Sequence, residues 1–430
     1  MAGCKNITVP TMVLLWVSMC LGGVHGANFD VRHYGTRADG RSDDSGAMMN
    51  AWKDACASDA GPVTTFTIPP GNYLVGSLNF QGPCKASSMN VQLQGTLVAP
   101  SDLNKVKSQG AWVIFQNIDW LTVSGGGTLD GQGAVAWSKN GCQRGGMCGS
   151  FPSNLEFSSI TNGFIEDITS LNSKLFHIEL INCKNVTLQQ LTINAPGNSL
   201  NTDGIHIGRS TGINITGIDI KTGDDCISFG DGSQQVYVSG VTCGPGHGIS
   251  VGSLGKFQGE QPVTGLTVKN CTLTNTMNGV RVKTWPASIS SLASNLHFED
   301  IKMMNVGTPI LIDQQYCPYG RCQLKACSEH AILPPSIHSH TEKFEFLFQV
   351  PSRVKLSDIF FTRIQGTSST PVTVKLACSA EVPCQNVQVS DINLRYDGND
   401  GNSTSLCSNI KPRTSGLLFP TLCTGEVPAP

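Results

Sequence analysis

The chain has 430 residues and a formal net charge of −2, and only 14 % of its residues are charged, against roughly 25 % in an ordinary soluble protein. Near-neutrality excludes a chain that binds nucleic acid through bulk charge, and 39 % hydrophobic residues with 47 Gly exclude both a disordered chain and a coiled coil. Seventeen Cys are many for a reducing compartment.

The first residues read as a secretory leader. Lys5 precedes the apolar run Thr11–Leu21, and the small residues Gly22–Ala27 suit cleavage near residue 26 or 27. Those 11 residues are short of the about 20 that cross a bilayer. Residues 1–26 are therefore expected to be a signal peptide, and the protein secreted, extracellular and without membrane or nucleic-acid partners. Next, Ser45–Ala57 is rich in Ala, Met and Trp and predicts an amphipathic helix. From about residue 110 to 395, short β-rich runs recur, including Val186–Ile193, Ile213–Ile220, Val236–Val241, Leu266–Leu273, Leu296–Ile301, Val354–Phe361 and Val387–Leu394. Most alternate apolar with polar residues and break at Gly, Asn or Asp, which is a strand signal. From residue 186 their starts are separated by 27, 23, 30, 30, 58 and 33 residues.

This quasi-period predicts an all-β fold, a right-handed parallel β-helix over residues 27–430 as one domain. Ser45–Ala57 would cap its open N-terminal end, since a terminal repeat needs covering. The gap of 58 holds one long rung or two, and the stretch beyond 396 reads as an irregular cap. A leucine-rich repeat would need a sustained consensus that is missing, and a propeller a longer period.

Loss of Cys4 and Cys20 with the leader leaves 15 Cys, an odd number. Local bridges are expected at Cys142/Cys148, Cys226/Cys243, Cys317/Cys322, Cys378/Cys384 and Cys407/Cys423. Zinc is disfavoured because no pair of Cys-x-x-Cys elements accompanies them. The odd thiol is assigned to Cys327, which leaves 14 others for seven bridges. Sequons at Asn185, Asn214, Asn270 and Asn402 fit secretion.

Four polar clusters interrupt the repeat: Asn201-Thr-Asp-Gly-Ile-His206, Gly223-Asp-Asp-Cys-Ile-Ser228, Gly246-His-Gly-Ile-Ser250 and Arg281-Val-Lys-Thr284. Asp203 to Asp225 is 22 residues, and Asp225 to His247 another 22. Residues one period apart stack on successive rungs, about 4.8 Å each, so Asp203, Asp224, Asp225 and His247 should share one side, with Arg281 and Lys283 one longer rung later. Carboxylates that close raise one another's pKa, which divides them into acid and base as glycoside hydrolysis requires. Arg281 and Lys283 add fixed positive charge for a substrate carboxylate. Singly, each cluster also reads as a turn or a solvated face. Their joint spacing points to a site for an acidic sugar polymer.

The four motifs, with the entry segment Phe29–Gly35 and Asp43–Cys56, resemble the signature pattern of the polygalacturonases of glycoside hydrolase family 28. That resemblance implies a parallel β-helix that hydrolyses α-1,4-galacturonosyl bonds of pectin with inversion and without a metal, as a monomer in the cell wall. Carried over by motif, Asp224 matches the general acid, Asp203 and Asp225 the pair that activates water, and His247 the active-site histidine. Arg281 and Lys283 match the carboxylate binders, and Asn201 and Tyr316 join the substrate-binding set. The stretches Gly76–Cys84, Gly127–Gly133 and Gly244–Gly255 are similar to plant pollen-type exopolygalacturonases, which implies exo rather than endo action. A pectate lyase would show a calcium-binding acidic cluster with an arginine base, and a rhamnogalacturonan hydrolase would depart from the histidine and arginine–lysine motifs. A non-catalytic pectin-binding wall protein would not need the full acid set.

One segment fits neither repeat nor family. The 23 residues Cys327–Gln349 carry His330, His338 and His340 and mostly lack alternation. They read as a solvated loop, a metal site or a translated intron, and peptide mapping of the native protein separates the last from the others.

Overall fold

A computed structural model of the chain describes residues 26–106, 110–141, 150–318, 322, 324–327, 346–399 and 401–427. Gly26 aside, the expected leader lies outside these residues, as do the Cys142/Cys148 pair and His330, His338 and His340. No helix of the described residues is long and apolar enough to cross a membrane.

Most coils of the chain run through three short strands, and in the later ones the first two merge into one longer strand such as Ser291–Val306. One coil is Lys184–Gln189, Thr192–Asn194 and Ile205–Gly208; the next is Thr211–Thr216, Asp219–Lys221 and Ile227–Phe229. Corresponding strands of successive coils pair in parallel. The result is a right-handed parallel β-helix with a sheet of 22 strands, which holds the first and second strands, and a sheet of 12 strands, which holds the third. Alternation along a strand sends every second side chain inward. Val186, Ile213, Val236, Leu266, Leu296, Ile359 and Val387 therefore stack in one interior column. All seven are withdrawn from water, each contributing about 1.5–3 kcal/mol.

The turn between the first and second strands explains the abundance of Gly, Asn and Asp. One residue at that corner takes a left-handed conformation in coil after coil: Asp167, Gln190, Gly217, Gly240, Asn270, Asp300, Arg363 and Asp391, with φ between 48° and 68°, the last three within strands that run through the corner. Gly adopts that region freely, and Asn and Asp tolerate it better than other residues.

Ser45–Ala57 is an α-helix, as expected. It buries Met48, Ala51, Trp52 and Ala55 and lays Trp52 against Phe66 and Phe80, with ring centroids 5.5 and 5.0 Å apart. The N-terminal end of the column is thus closed by an aromatic layer. A Cys56–Cys84 disulfide fixes the end of the helix, a bridge across 28 residues that local spacing did not suggest.

Two expectations need correction, and one open alternative is resolved. The stretch beyond 396 is not irregular: Thr404–Ser408 and Arg413–Phe419 extend both sheets by another coil. Leu296 pairs directly with Ile359, so the long gap is one rung, and Val354 stands in register with Ser291. Within that rung Leu324–Cys327 pairs antiparallel with Phe346–Gln349, apart from the column. Seven bridges do not form, because Cys183 and Cys271 are buried free thiols. They occupy different corners, Cys183 ahead of Lys184–Gln189 and Cys271 ahead of Thr272–Thr274. The other described pairs, Cys226–Cys243, Cys317–Cys322, Cys378–Cys384 and Cys407–Cys423, are bridged as expected.

Candidate active site

The 22-residue spacing becomes register in the smaller sheet. His206 stands opposite Ser228, Ser228 opposite Ser250, and Ser250 opposite Arg281. The turns that lead into these strands carry Asp203, Asp224 with Asp225, and His247. Main-chain bonds stack the turns: Gly204 N donates to Asp225 O at 2.9 Å, and His247 N to Asp224 O at 2.7 Å. Close backbone approach is needed here. A Cβ on Gly223 would lie 1.9 Å from the Ser199 carbonyl oxygen, and one on Gly248 2.2 Å from that of Asn278. The Cys226–Cys243 bridge ties the residue after the acidic pair to the start of the next turn.

The six residues singled out as acids, histidine and cations meet in one cluster. Asp225, 1 % exposed, takes Lys283 Nζ at 2.6 Å on one oxygen and Arg281 Nη2 at 2.7 Å on the other. Ser250 Oγ adds a third donor at 2.8 Å and itself accepts from Arg281 Nε at 3.0 Å. Burial works against an ionised Asp225, but Lys283 and Arg281 outweigh it and hold its carboxyl well below the usual range. Asp203 is the reverse case. Burial, then the negative charges of Asp224 and Asp225, raise it well above that range, although Ser228 Oγ donates to it at 2.8 Å. Asp224 is less buried than either and is joined to His247 Nδ1 at 2.8 Å. One acid is thus kept ionised, one favours a proton, and the third, partly exposed, stands beside an imidazole.

Arg281 and Lys283 turn their charged ends onto Asp225. A guanidinium has five N–H donors and an ammonium three, more than Asp225 and Ser250 take up. Tyr316 lies beside both, its ring centroid 5.3 Å from Lys283 Nζ and 5.9 Å from Arg281 Cζ. Asn201, partly buried in the turn that leads to Asp203, has a left-handed φ of 56°, and its Oδ1 accepts from Asn140 Nδ2 at 3.1 Å.

Asp224, Asp225 and His247 also bring one ligand atom each within 4.8 Å of one another, a spacing a cation could use. Asp225 is already neutralised by Arg281 and Lys283, however, so the donor set suits a metal poorly.

Ser228, Ser250 and His206 were given no role from the sequence. His206 Nδ1 lies 2.8 Å from Ser228 Oγ, so Asp203, Ser228 and His206 form one hydrogen-bonded chain. The signal was present: these three residues follow Asp203, Asp225 and His247 by the same three positions. Trp285 and Lys256, also without a role in the sequence, border the cluster beyond Tyr316.

With this geometry established, comparison with known proteins is direct. The family model for glycosyl hydrolases family 28 matches residues 57–332 and 336–417. An exopolygalacturonase of Arabidopsis thaliana is 50 % identical over 406 residues, which cover 94 % of this chain and 85 % of the relative. An exopolygalacturonase of Platanus acerifolia is 50 % identical, with 92 % and 98 % covered. Among solved structures, endo-xylogalacturonan hydrolase from Aspergillus tubingensis superposes with a TM-score of 0.72 at 24 % identity, covering 91 % of this chain and all of that one.

Proposed function

The chain belongs to the glycosyl hydrolases family 28, and from that premise we propose that it is an exo-acting polygalacturonase that removes galacturonate units from the ends of pectin chains. The observation that carries the proposal is the convergence of Asp203, Asp224, Asp225 and His247 with Arg281 and Lys283 in one groove. The 50 % identity to plant exopolygalacturonases supports the exo subclass.

In the proposed reaction Asp224, hydrogen-bonded to His247, protonates the glycosidic oxygen as the bond to the anomeric carbon breaks. Asp225, kept ionised, takes the proton of a water on the opposite face, which Asp203, favouring a proton, helps to orient. The hydroxyl bonds to the anomeric carbon and inverts it. The N–H donors of Arg281 and Lys283 that Asp225 leaves over receive the uronate carboxylate, with Tyr316 and Asn201 beside it. A leader over residues 1–26 would deliver a monomeric enzyme to the cell wall, and the five disulfides among the described residues are consistent with that compartment.

Digestion of polygalacturonate by the purified protein tests this. Free galacturonate should appear from the outset while viscosity falls slowly; mixed oligomers appearing first would make the enzyme endo-acting. Asp224→Asn should lower kcat by about 10²–10⁴-fold with an unchanged circular dichroism spectrum. A wild-type protein that binds oligogalacturonate but releases no reducing sugar would instead be a wall-binding protein.

A further inference from the structure

The catalytic cluster does not end at Tyr316. Its ring meets that of Trp285 edge-on, with centroids 5.6 Å apart and planes at 79°. Trp285 directly follows the strand Asn278–Thr284 that carries Arg281 and Lys283. Lys256 Nζ lies 4.7 Å from the Trp285 ring and 5.3 Å from that of Phe257, which is 64 % exposed. Cations and aromatic rings thus continue from the cleavage point through successive contacts: Lys283 and Arg281, Tyr316, Trp285, Lys256, Phe257.

The loop that presents Lys256 is built rather than loose. The Glu260 carboxylate accepts from three successive amides, Gly255 N at 2.6 Å, Lys256 N at 2.9 Å and Phe257 N at 2.8 Å. Trp285 N donates to Leu254 O at 2.9 Å and joins the two loops. Glu260 is committed to the backbone, and Lys256 has no ion pair among the described residues. An exposed ammonium on an aromatic face, with no carboxylate of its own, is complementary to a sugar ring that carries one.

We propose that Lys256, with Trp285 and Phe257, forms a subsite for a further uronate residue of the polymer, beyond the residue that Arg281 and Lys283 receive. The aromatic faces take the apolar face of the sugar ring, and the Lys256 ammonium takes its carboxylate. The subsite rests on the polyuronide reading above and adds to it a direction: the chain leaves the cleavage point toward Lys256.

Kinetics on galacturonate oligomers of increasing length, at fixed ionic strength, test this. A dimer spans only the cleaved bond, whereas a trimer reaches Lys256. In Lys256→Met, kcat/KM for the trimer and longer oligomers should fall about tenfold, through KM, as expected for one charge-assisted contact, while the dimer changes less than twofold. Lys256→Arg should restore most of the loss, and Phe257→Ala should show a smaller loss with the same length dependence. An equal fall on dimer and trimer would mean that Lys256 only holds its loop, and no fall on any length would remove it from binding; either result overturns the subsite. An inactive wild type would overturn the functional reading instead, so the two failures are distinct.

Discussion

On the outward column of the smaller sheet, the turns that carry Asp203, Asp224, Asp225 and His247 separate two unlike flanks. Toward the N-terminus, His206 is followed by Glu179 and then Glu156. Toward the C-terminus, Ser250 is followed by Arg281, Leu311 and Lys375, with Lys283 and Lys256 to the side. The backbone is the same on both flanks, strand on parallel strand. Only the side chains distinguish them, and they do so by charge. Burial pushes Glu179 up to about 7 and Glu156 up as well, so that flank offers carboxyls that resist ionisation and no cation on the column. Along this outward column, among the described residues, cationic side chains stand on the C-terminal flank only. A symmetric scaffold is thereby given a direction by a few outward residues.

The comparison is broken most severely at the junction of the flanks. Lys283→Met leaves Asp225 buried beside one cation instead of two, and stability should fall by about 3–5 kcal/mol, read by denaturant unfolding, with activity lost. Adding Asp225→Asn to that variant should recover much of the stability and none of the activity. The two serines sharpen it at a smaller scale. Ser250→Ala and Ser228→Ala each remove one buried donor to a carboxylate and should cost about 1–3 kcal/mol. Because each hydroxyl favours the ionised acid, its loss should move the acid limb of the kcat/KM profile to higher pH. A purely structural role would lower stability and leave that limb in place.

The smallest effect belongs to the acidic flank. Glu179 has its folded pKa raised from 4.5 to about 7, so between those values the folded chain binds more protons than the unfolded one. Its contribution to stability is complete below pH 4.5 and is lost as pH rises through about 7. Glu179→Gln should therefore flatten the decline of Tm across that window, while the wild type keeps it. An unaltered slope would show that Glu179 is not the group that distinguishes this flank.

Much of this was legible in the sequence because a solenoid turns spacing into position. Two intervals of 22 residues gave the alignment of Asp203, Asp225 and His247, and the β-rich runs gave the interior column. The helix Ser45–Ala57 was read to its boundaries. What escaped depends on contacts that no local interval encodes. Cys56 and Cys84 meet because the capping helix folds over the first strands. Cys183 and Cys271 face the core at separate corners, so counting cysteines assigned them partners that geometry denies. Ser228 and Ser250 carried the right period but are common residues in turns, and their function shows only once they touch a carboxylate. Lys256 and Trp285 are brought together by two loops whose path the repeat does not determine.

The long rung carries a further consequence. Leu296 and Ile359 are neighbours in the sheet although 63 residues separate them, more than twice the 28 between Ile359 and Val387. Closing a loop twice as long adds only about 0.6 kcal/mol of entropy, and the surplus chain leaves the column as the ladder Leu324–Cys327 with Phe346–Gln349. Each coil is in this sense a vertebra: its body is fixed by the neighbours above and below, while its processes can lengthen almost without penalty. Such a fold can grow at its loops, one coil at a time, while Asp203, Asp225 and His247 stay in register on successive rungs.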